Sequence, residues 1–411
     1  MNPLELPDGW EQVSLGDIAE LVTSGATPKV GNTELYSDET SGIPFFRIQN
    51  VGVNHLILSD LKYVTREVHE GDLKRSQLHP NDVLITITGR LGTSAVVPPG
   101  ISSGNINQHI CLVRLRHNVA DPYYISFHLN SEETHREIMS KQHGTTRIAL
   151  SHRTVSSLSI SLPPLEVQRR IASILKRTHG LGESRKQANR LTNRIVQSVF
   201  LRMFGDPLEN PFKFPVTSLG SLAIMSRYGP RFYNQPYSAI GVPILRTTDI
   251  TEEGELSLEN APKLEVTPKV IEKYRLRVGD VVISRSGSLG RCAVYDLEGV
   301  KCIPGAFLLH FRFGENVLAH YIKHFALSRS IQTTIQNMAR FVAQPNVNVE
   351  ELKSLKVPVP PIDLQRKFVE TAFRFARLKQ TQIESLQEIN ELFRSLMDKA
   401  FKGKLVKQPN A

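Results

Sequence analysis

The sequence predicts a mixed α/β (α+β) protein. Two similar globules stand in tandem, each followed by one long helix, and the two helices pair as an antiparallel coiled coil. Three observations lead there. The chain repeats itself in order; each repeat holds short β-rich runs and short helical signals; and each closes on a long apolar rhythm that opens with a double proline.

The repeat is the strongest signal, because a missed repeat misassigns the fold. Val13-Ser14-Leu15-Gly16 returns as Thr217-Ser218-Leu219-Gly220. GIPFFRIQNV from Gly42 returns as GVPILRTTDI from Gly241. LHPNDVLITITGRLG from Leu78 returns as LRVGDVVISRSGSLG from Leu276, with seven identities in fifteen positions. LPPLEVQRRI from Leu162 returns as VPPIDLQRKF from Val359. The offset drifts from 204 to 197, as a duplication with a few deletions would produce.

Within each copy, Ser14 with Asp17 three residues on resembles a capping box and predicts a short helix. Asp82–Ile87 and Asp280–Ser284 read as strands ending in Gly-bounded turns, shaped by Gly89, Gly92, Gly287 and Gly290. Further strands are expected near Ile110–Leu115 and Phe307–Phe313, and single helices at Pro122–Gln142 and Ala319–Met338.

Pro163-Pro164 and Pro360-Pro361 open the long helices, with Glu166 and Asp363 at the positive end of the dipole. A 4–3 spacing then runs Val167, Ile171, Ile174, Thr178, Leu181, Arg185, Ala188, Thr192, Ile195, Val199. In the second copy it runs Phe368, Ala372, Phe375, Lys379, Gln382, Leu386, Ile389, Phe393, Leu396, Ala400. That is a coiled-coil seam with polar breaks near the middle of both helices. Gly180 and Gly182 are expected to bend the first. Forty residues at about 1.5 Å each give roughly 60 Å, longer than a globule of this size, so each helix is expected to pair with the other. The domains predicted are residues 1–162, 163–205, 206–359 and 360–405.

Composition narrows the function. The 411 residues carry 50 Lys+Arg against 40 Asp+Glu, a net of +10 that favours an anionic partner, most often nucleic acid. Residues 165–204 hold +7 and residues 362–404 hold +3, so the globules are balanced. No apolar run suits a membrane span, and Met1–Trp10 does not read as a secretory signal. Three scattered cysteines, Cys111, Cys292 and Cys302, predict neither disulfides nor a metal site, and a cytoplasmic setting is expected.

Catalytic patterns are not found. No GxxxxGK[ST] string occurs. Asp121-Pro122-Tyr123-Tyr124 and Asn210-Pro211-Phe212 lack the second proline of an adenine methyltransferase loop. Glu351-Leu352-Lys353 matches half of a nuclease motif, but Asn346 and Asn348 stand where the acid belongs, so a cap or surface turn is expected. His135 and His143 are expected on a surface.

The arrangement resembles the specificity subunit of type I restriction–modification systems along the whole chain. The motifs that carry the resemblance are the two Pro-Pro-Leu/Ile-acid-x-Gln-Arg helix starts, the two helix ends, and the paired Asp-Val strand with its Gly-x-Leu-Gly turn. The helix ends read Ser198-Val199-Phe200-Leu201-Arg202-Met203-Phe204-Gly205-Asp206 and Ser395-Leu396-Met397-Asp398-Lys399-Ala400-Phe401-Lys402-Gly403-Lys404-Leu405. One departure recurs: the family usually has Glu before the helix-start Gln, where this chain has Val167 and Leu364.

The resemblance implies two target recognition domains, each reading one half of a split, asymmetric target in double-stranded DNA. The helices would fix the gap and dock two modification (methyltransferase) subunits. Those would use S-adenosylmethionine to methylate adenine, and restriction (motor–nuclease) subunits would use ATP and Mg. This chain would be non-catalytic, holding no cofactor or metal of its own. The alternatives are a spare or modification-only specificity chain, or a coiled-coil scaffold that never touches DNA.

Candidate DNA-reading residues are polar groups on loops after the paired strands. In the first globule they are Arg47, Gln49, Thr88, Arg90, Asn107, Gln108, Thr145, Thr146 and Arg147. In the second they are Arg246, Thr248, Arg285, Ser286, Ser288, Arg291, Arg340 and Gln344. Arg suits guanine, and Asn or Gln suits adenine. Arg47 and Arg246 occur in both copies, so a shared structural role stands beside base reading. Tyr228 and Tyr233 flank Arg231 in a basic, aromatic stretch. Candidate partner contacts are Leu165, Gln168, Arg169 and Ile171, with Ile362, Gln365, Arg366 and Phe368, against the alternative of helix capping and seam packing.

Overall fold

The structure, a computed structural model, describes residues 6–28, 33–141, 149–232, 235–339 and 346–406. The chain forms two compact units, residues 1–185 with 385–411, and residues 186–384. Each unit holds one globule and half of each long helix.

The two globules share one topology. In the first unit an antiparallel sheet runs Ala19–Ser24, Ile110–Leu115, Val83–Thr86, Ser94–Val96. In the second it runs Ala223–Tyr228, Leu308–Phe313, Asp280–Ser284, Cys292–Tyr295. The inner strands Val83–Thr86 and Asp280–Ser284 are buried along their whole length, which explains their unbroken apolar runs. A smaller sheet sets Ile43–Phe46 parallel to Asn105–Ile106, and Val242–Leu245 parallel to Ile303–Pro304. Two-stranded ribbons close each globule: Glu11–Ser14 pairs with Ser159–Leu162, and Val216–Ser218 with Lys356–Pro358. The chain therefore enters each globule beside the segment that leaves it for the long helix.

Buried ion pairs brace both main sheets. Arg114 lies 2.8 Å from Asp82, and Arg312 lies 2.6 Å from Asp280. Burial opposes ionisation of Asp280, but hydrogen bonds from His310 and Arg312 outweigh it and hold the carboxyl down at about 2.

Several expectations shift. Ser14 and Asp17 make the reciprocal bonds of a capping box (3.1 and 3.3 Å), yet only a turn follows in the first unit. In the second unit Ser218 caps the four-residue helix Leu219–Leu222. The helix expected at 122–142 is two, Pro122–Leu129 and Glu132–Ser140, because Ser131 caps a new start through the Thr134 N–H. Its counterpart likewise divides into Ala319–Ala326 and Arg329–Met338. Glu351 closes a capping box with Asn348, and Asp121 caps Pro122–Leu129. All three cysteines are buried as free thiols, and burial pushes each up to about 12.

The long helices are Leu165–Phe204 and Ile362–Phe401, forty residues each. They pair antiparallel within each unit. In the first unit Gly182 faces Ile389, and a Cβ there would lie 3.6 Å from the Ile389 side chain. In the second unit Thr192 donates to Gln382 Oε1 at 3.2 Å, one of the polar breaks. The second helix keeps the expected frame, with Phe368, Gln382 and Ala400 buried along it. The first keeps it in part: Val167, Ile171, Thr178 and Thr192 are buried, but Leu175 and Gly182 face inward where Ile174 and Leu181 were expected, and Leu181 and Ile195 are exposed. Val167, Ile171 and Leu175 pack into their own globule's core, and that packing follows the helical period rather than the seam's. Among the described residues no helix is long and apolar enough to cross a membrane.

Candidate nucleic-acid interface

In the second unit the strand Ala223–Tyr228 ends at Gly229, where a Cβ would sit 2.1 Å from the Gly305 carbonyl oxygen. Only glycine permits that approach. The chain then turns through Pro230 into Arg231 and opens a cleft. Arg227, Tyr228, Arg231, Lys273, Tyr274 and Arg285 line it, four cations and two aromatic rings, with no carboxylate among the lining residues. The cleft is preorganised. The Arg285 guanidinium lies 4.8 Å over the Tyr228 ring and donates to Asn346 Oδ1 at 3.0 Å. The Tyr228 hydroxyl accepts from the Val349 N–H at 3.0 Å. Arg227 donates to the Lys273 carbonyl, and the Lys273 ammonium lies 5.1 Å over Tyr274. Cations held over rings suit contact with phosphates and with guanine edges.

The matching place in the first unit has the same floor and different chemistry. The strand Ala19–Ser24 ends at Gly25, pressed against the Ile106 carbonyl as Gly229 is against Gly305. Around it, Thr27 donates to Gln108, and Thr88 lies 2.9 Å from His109 Nδ1. Arg75 donates to the Gly25 carbonyl at 3.3 Å. Thr27 stands where the second unit has Arg231, and Gln108 where it has Ala306. Hydroxyl, amide and imidazole replace the cation cluster.

The structure divides the predicted reading residues. Arg285, Ser286, Thr88 and Gln108 lie at these loop ends, and Thr248 is exposed within the turn described next. Asn107 is buried and accepts from the His109 N–H, which makes it part of the floor. The four other described arginines are committed to their own chain. Arg47 and Gln49 both bond Asp60 at 3.1 Å, and Arg246 bonds Asp249 and the Asn260 carbonyl. Arg90 reaches the carbonyls of Ile48 and Val51, and Arg291 reaches those of Thr247 and Ile250. These are equivalent atoms, reached from different loop positions. The same 3₁₀ turn is thus tied down in both units. The Ser288 carbonyl accepts from Ser284 and shapes the loop. Thr145, Thr146, Arg147, Tyr233, Arg340 and Gln344 lie outside the described residues.

The predicted partner residues also divide. Gln168 is buried, taking the Asp121 N–H at 2.8 Å and giving to the Pro163 carbonyl at 2.7 Å. Gln365 does the same with Leu318 N–H (2.9 Å) and the Pro360 carbonyl (2.8 Å). Ile171 and Phe368 are core residues. These four hold each long helix to its globule, and offer no surface. Arg169 and Arg366 are exposed and Leu165 and Ile362 half-buried, so these remain on the surface. Sequence reasoning missed Arg227, Lys273 and Tyr274; the one local signal was the basic, aromatic character of the stretch after the strand.

Fold and site together define a class: a duplicated scaffold presenting two differently equipped recognition faces. Residues 7–190 and 214–394 match the type I restriction modification DNA specificity domain. The chain belongs to that family, and its role is DNA sequence specificity. It is 23% identical to the EcoBI specificity subunit of Escherichia coli, covering 98% of this chain and 88% of that one. It is 24% identical to the StySPI specificity subunit of Salmonella potsdam, over 99% and 92%. Two solved structures share the fold. One comes from work on assembly of the type I R-M system (TM-score 0.58, 20% identity, 98% of this chain and 100% of that chain). The other is the type I restriction–modification S subunit from M. genitalium (TM-score 0.57, 15% identity, 98% of each chain).

Proposed function

We propose that this chain reads a bipartite, asymmetric sequence in double-stranded DNA, one half with each globule, and carries that address for catalytic partners. The observation that supports it is the shared floor with unlike loops: Gly25 and Gly229 end equivalent strands, yet Thr27 and Gln108 stand opposite Arg231 and Ala306. Equal scaffolds with unequal donors and acceptors fit two different half-sites. In this reading the helix pair spaces the half-sites.

Two modification subunits would dock the chain and methylate adenine with S-adenosylmethionine. Motor–nuclease subunits would supply ATP- and Mg-dependent cleavage, all in the cytoplasm. Leucines left exposed on the long helices, Leu181 and Leu392 in the first unit and Leu191 and Leu378 in the second, suit such docking.

The test is single-molecule methylome sequencing of a host carrying this chain and its modification partner, against deletion of this chain alone. A split, asymmetric adenine-methylated motif that vanishes on deletion is expected. An unchanged methylome would mean a spare subunit or a scaffold without a DNA role.

A further inference from the structure

In the first unit a hairpin, Val51–Gly52 paired with His55–Leu56, reaches the first long helix. His55 lies on its returning strand, and His179 and Glu183 stand one turn apart on the helix. The ligand atoms of these three side chains all lie within 4.8 Å of one another, and all three residues are half-buried. The imidazole rings of His55 and His179 have centroids 5.7 Å apart. His55 Nδ1 lies 3.0 Å from the Val53 carbonyl, so that nitrogen carries the proton and Nε2 keeps its lone pair. The His179 ring is held by Phe127 and Phe393, at 6.5 and 5.7 Å between centroids.

We propose that His55, His179 and Glu183 bind one zinc ion, which staples the hairpin to the helix. A His/Glu pair at i, i+4 on a helix with a third donor from a loop is a chelating set. Two imidazoles and one carboxylate suit zinc, with a fourth position left for water. A tetrahedral zinc with bonds of about 2.0–2.1 Å holds its donors roughly 3.3 Å apart, so rotamer adjustment need close the side chains by no more than about 1.5 Å.

The second unit supplies an independent argument. Its equivalent turn, closed by the Ile250–Leu256 bridge, is tied to the second long helix by a direct ion pair, Glu255 with Lys379. Where Glu255 stands in the second unit, the first has His55, so the same attachment is made with metal-ligating groups. The buried cysteines do not compete, their thiols being held protonated.

The test uses the untagged full-length chain, freed of metal by chelation and titrated with zinc chloride. Bound zinc is counted by mass spectrometry after desalting, and the melting temperature is followed. One zinc per chain is expected, with a rise of roughly 5 °C at saturating zinc. His55→Gln and Glu183→Gln should each abolish both while leaving the circular dichroism unchanged. His55 is half-buried and lies outside the core clusters, which the hairpin joins through Val51 and Leu56, so His55→Gln leaves that packing in place. Cobalt(II) should give a tetrahedral absorption band that His179→Gln removes. Zinc retained by these variants, or a melting temperature indifferent to zinc, would overturn the proposal and leave a plain hydrogen-bonded contact. None of these readouts depends on DNA reading.

Discussion

His128 shows how one buried side chain sets acid tolerance. Its Nε2 accepts from the Ser161 N–H at 3.2 Å, so Nδ1 carries the proton and faces the Thr134 hydroxyl at 3.2 Å. Burial pushes its pKa down to about 4, and protonation would set an N–H against another N–H. Between pH 4 and 6.5 the unfolded chain takes up a proton that the folded chain refuses. Stability therefore falls on acidification through that window, by about 3 kcal/mol. His128→Gln should flatten the decline, measured by urea unfolding at pH 7 and pH 5; equal losses in both proteins would place the acid sensitivity elsewhere. Asp280 adds a later loss, since its stabilisation is present above the unfolded value of 3.8 and disappears as pH falls through about 2.

Gln365 is a residue whose role its motif misstated. It repeats with Gln168, and repetition reports that a position matters without saying whether to the fold or to a partner. Replacing Gln365 by Ala should strand the half-buried Leu318 N–H and cost about 1 kcal/mol, read by chemical denaturation. Arg285, by contrast, lies over Tyr228 on the rim of the basic cleft. Arg285→Ala should weaken binding to target DNA about tenfold and relax one half-site only, measured by gel shift and methylome together. Relaxation of both halves would contradict separate reading.

At the scale of elements, the inner strands and the long helices were legible because their signals are local: apolar runs, double prolines, caps. The ribbons were not, because each pairs the two ends of a globule. The second helix kept its predicted seam. The first kept it at Thr178 and Thr192 but shifted at Ile174 and Leu181, because Leu175 answers to a globule core assembled from residues far away in sequence. The cleft was only half legible for the same reason. Arg227 and Lys273 meet across 46 positions of sequence, and nothing local to either announces the other. Removing one heptad from each long helix, about 10 Å, should shorten the gap between half-sites and leave both half-sites unchanged. Methylome sequencing reads this directly, and altered half-sites would refute the spacer role.

For the whole molecule, two units built alike and equipped differently make, on the proposed reading, a pair of independent readers. Exchanging residues 1–162 for the same region of another family member should change one half-site and spare the other. The change should appear as a hybrid methylation motif.

The two-stranded ribbons Glu11–Ser14 with Ser159–Leu162, and Val216–Ser218 with Lys356–Pro358, carry this further. Each globule begins and ends at one place, beside the start of its helix. A genetic crossover landing in Ser159–Leu162 exchanges the first globule without altering either long helix. On the proposed reading, one recombination step would then renew one half-site and leave the spacer as it was.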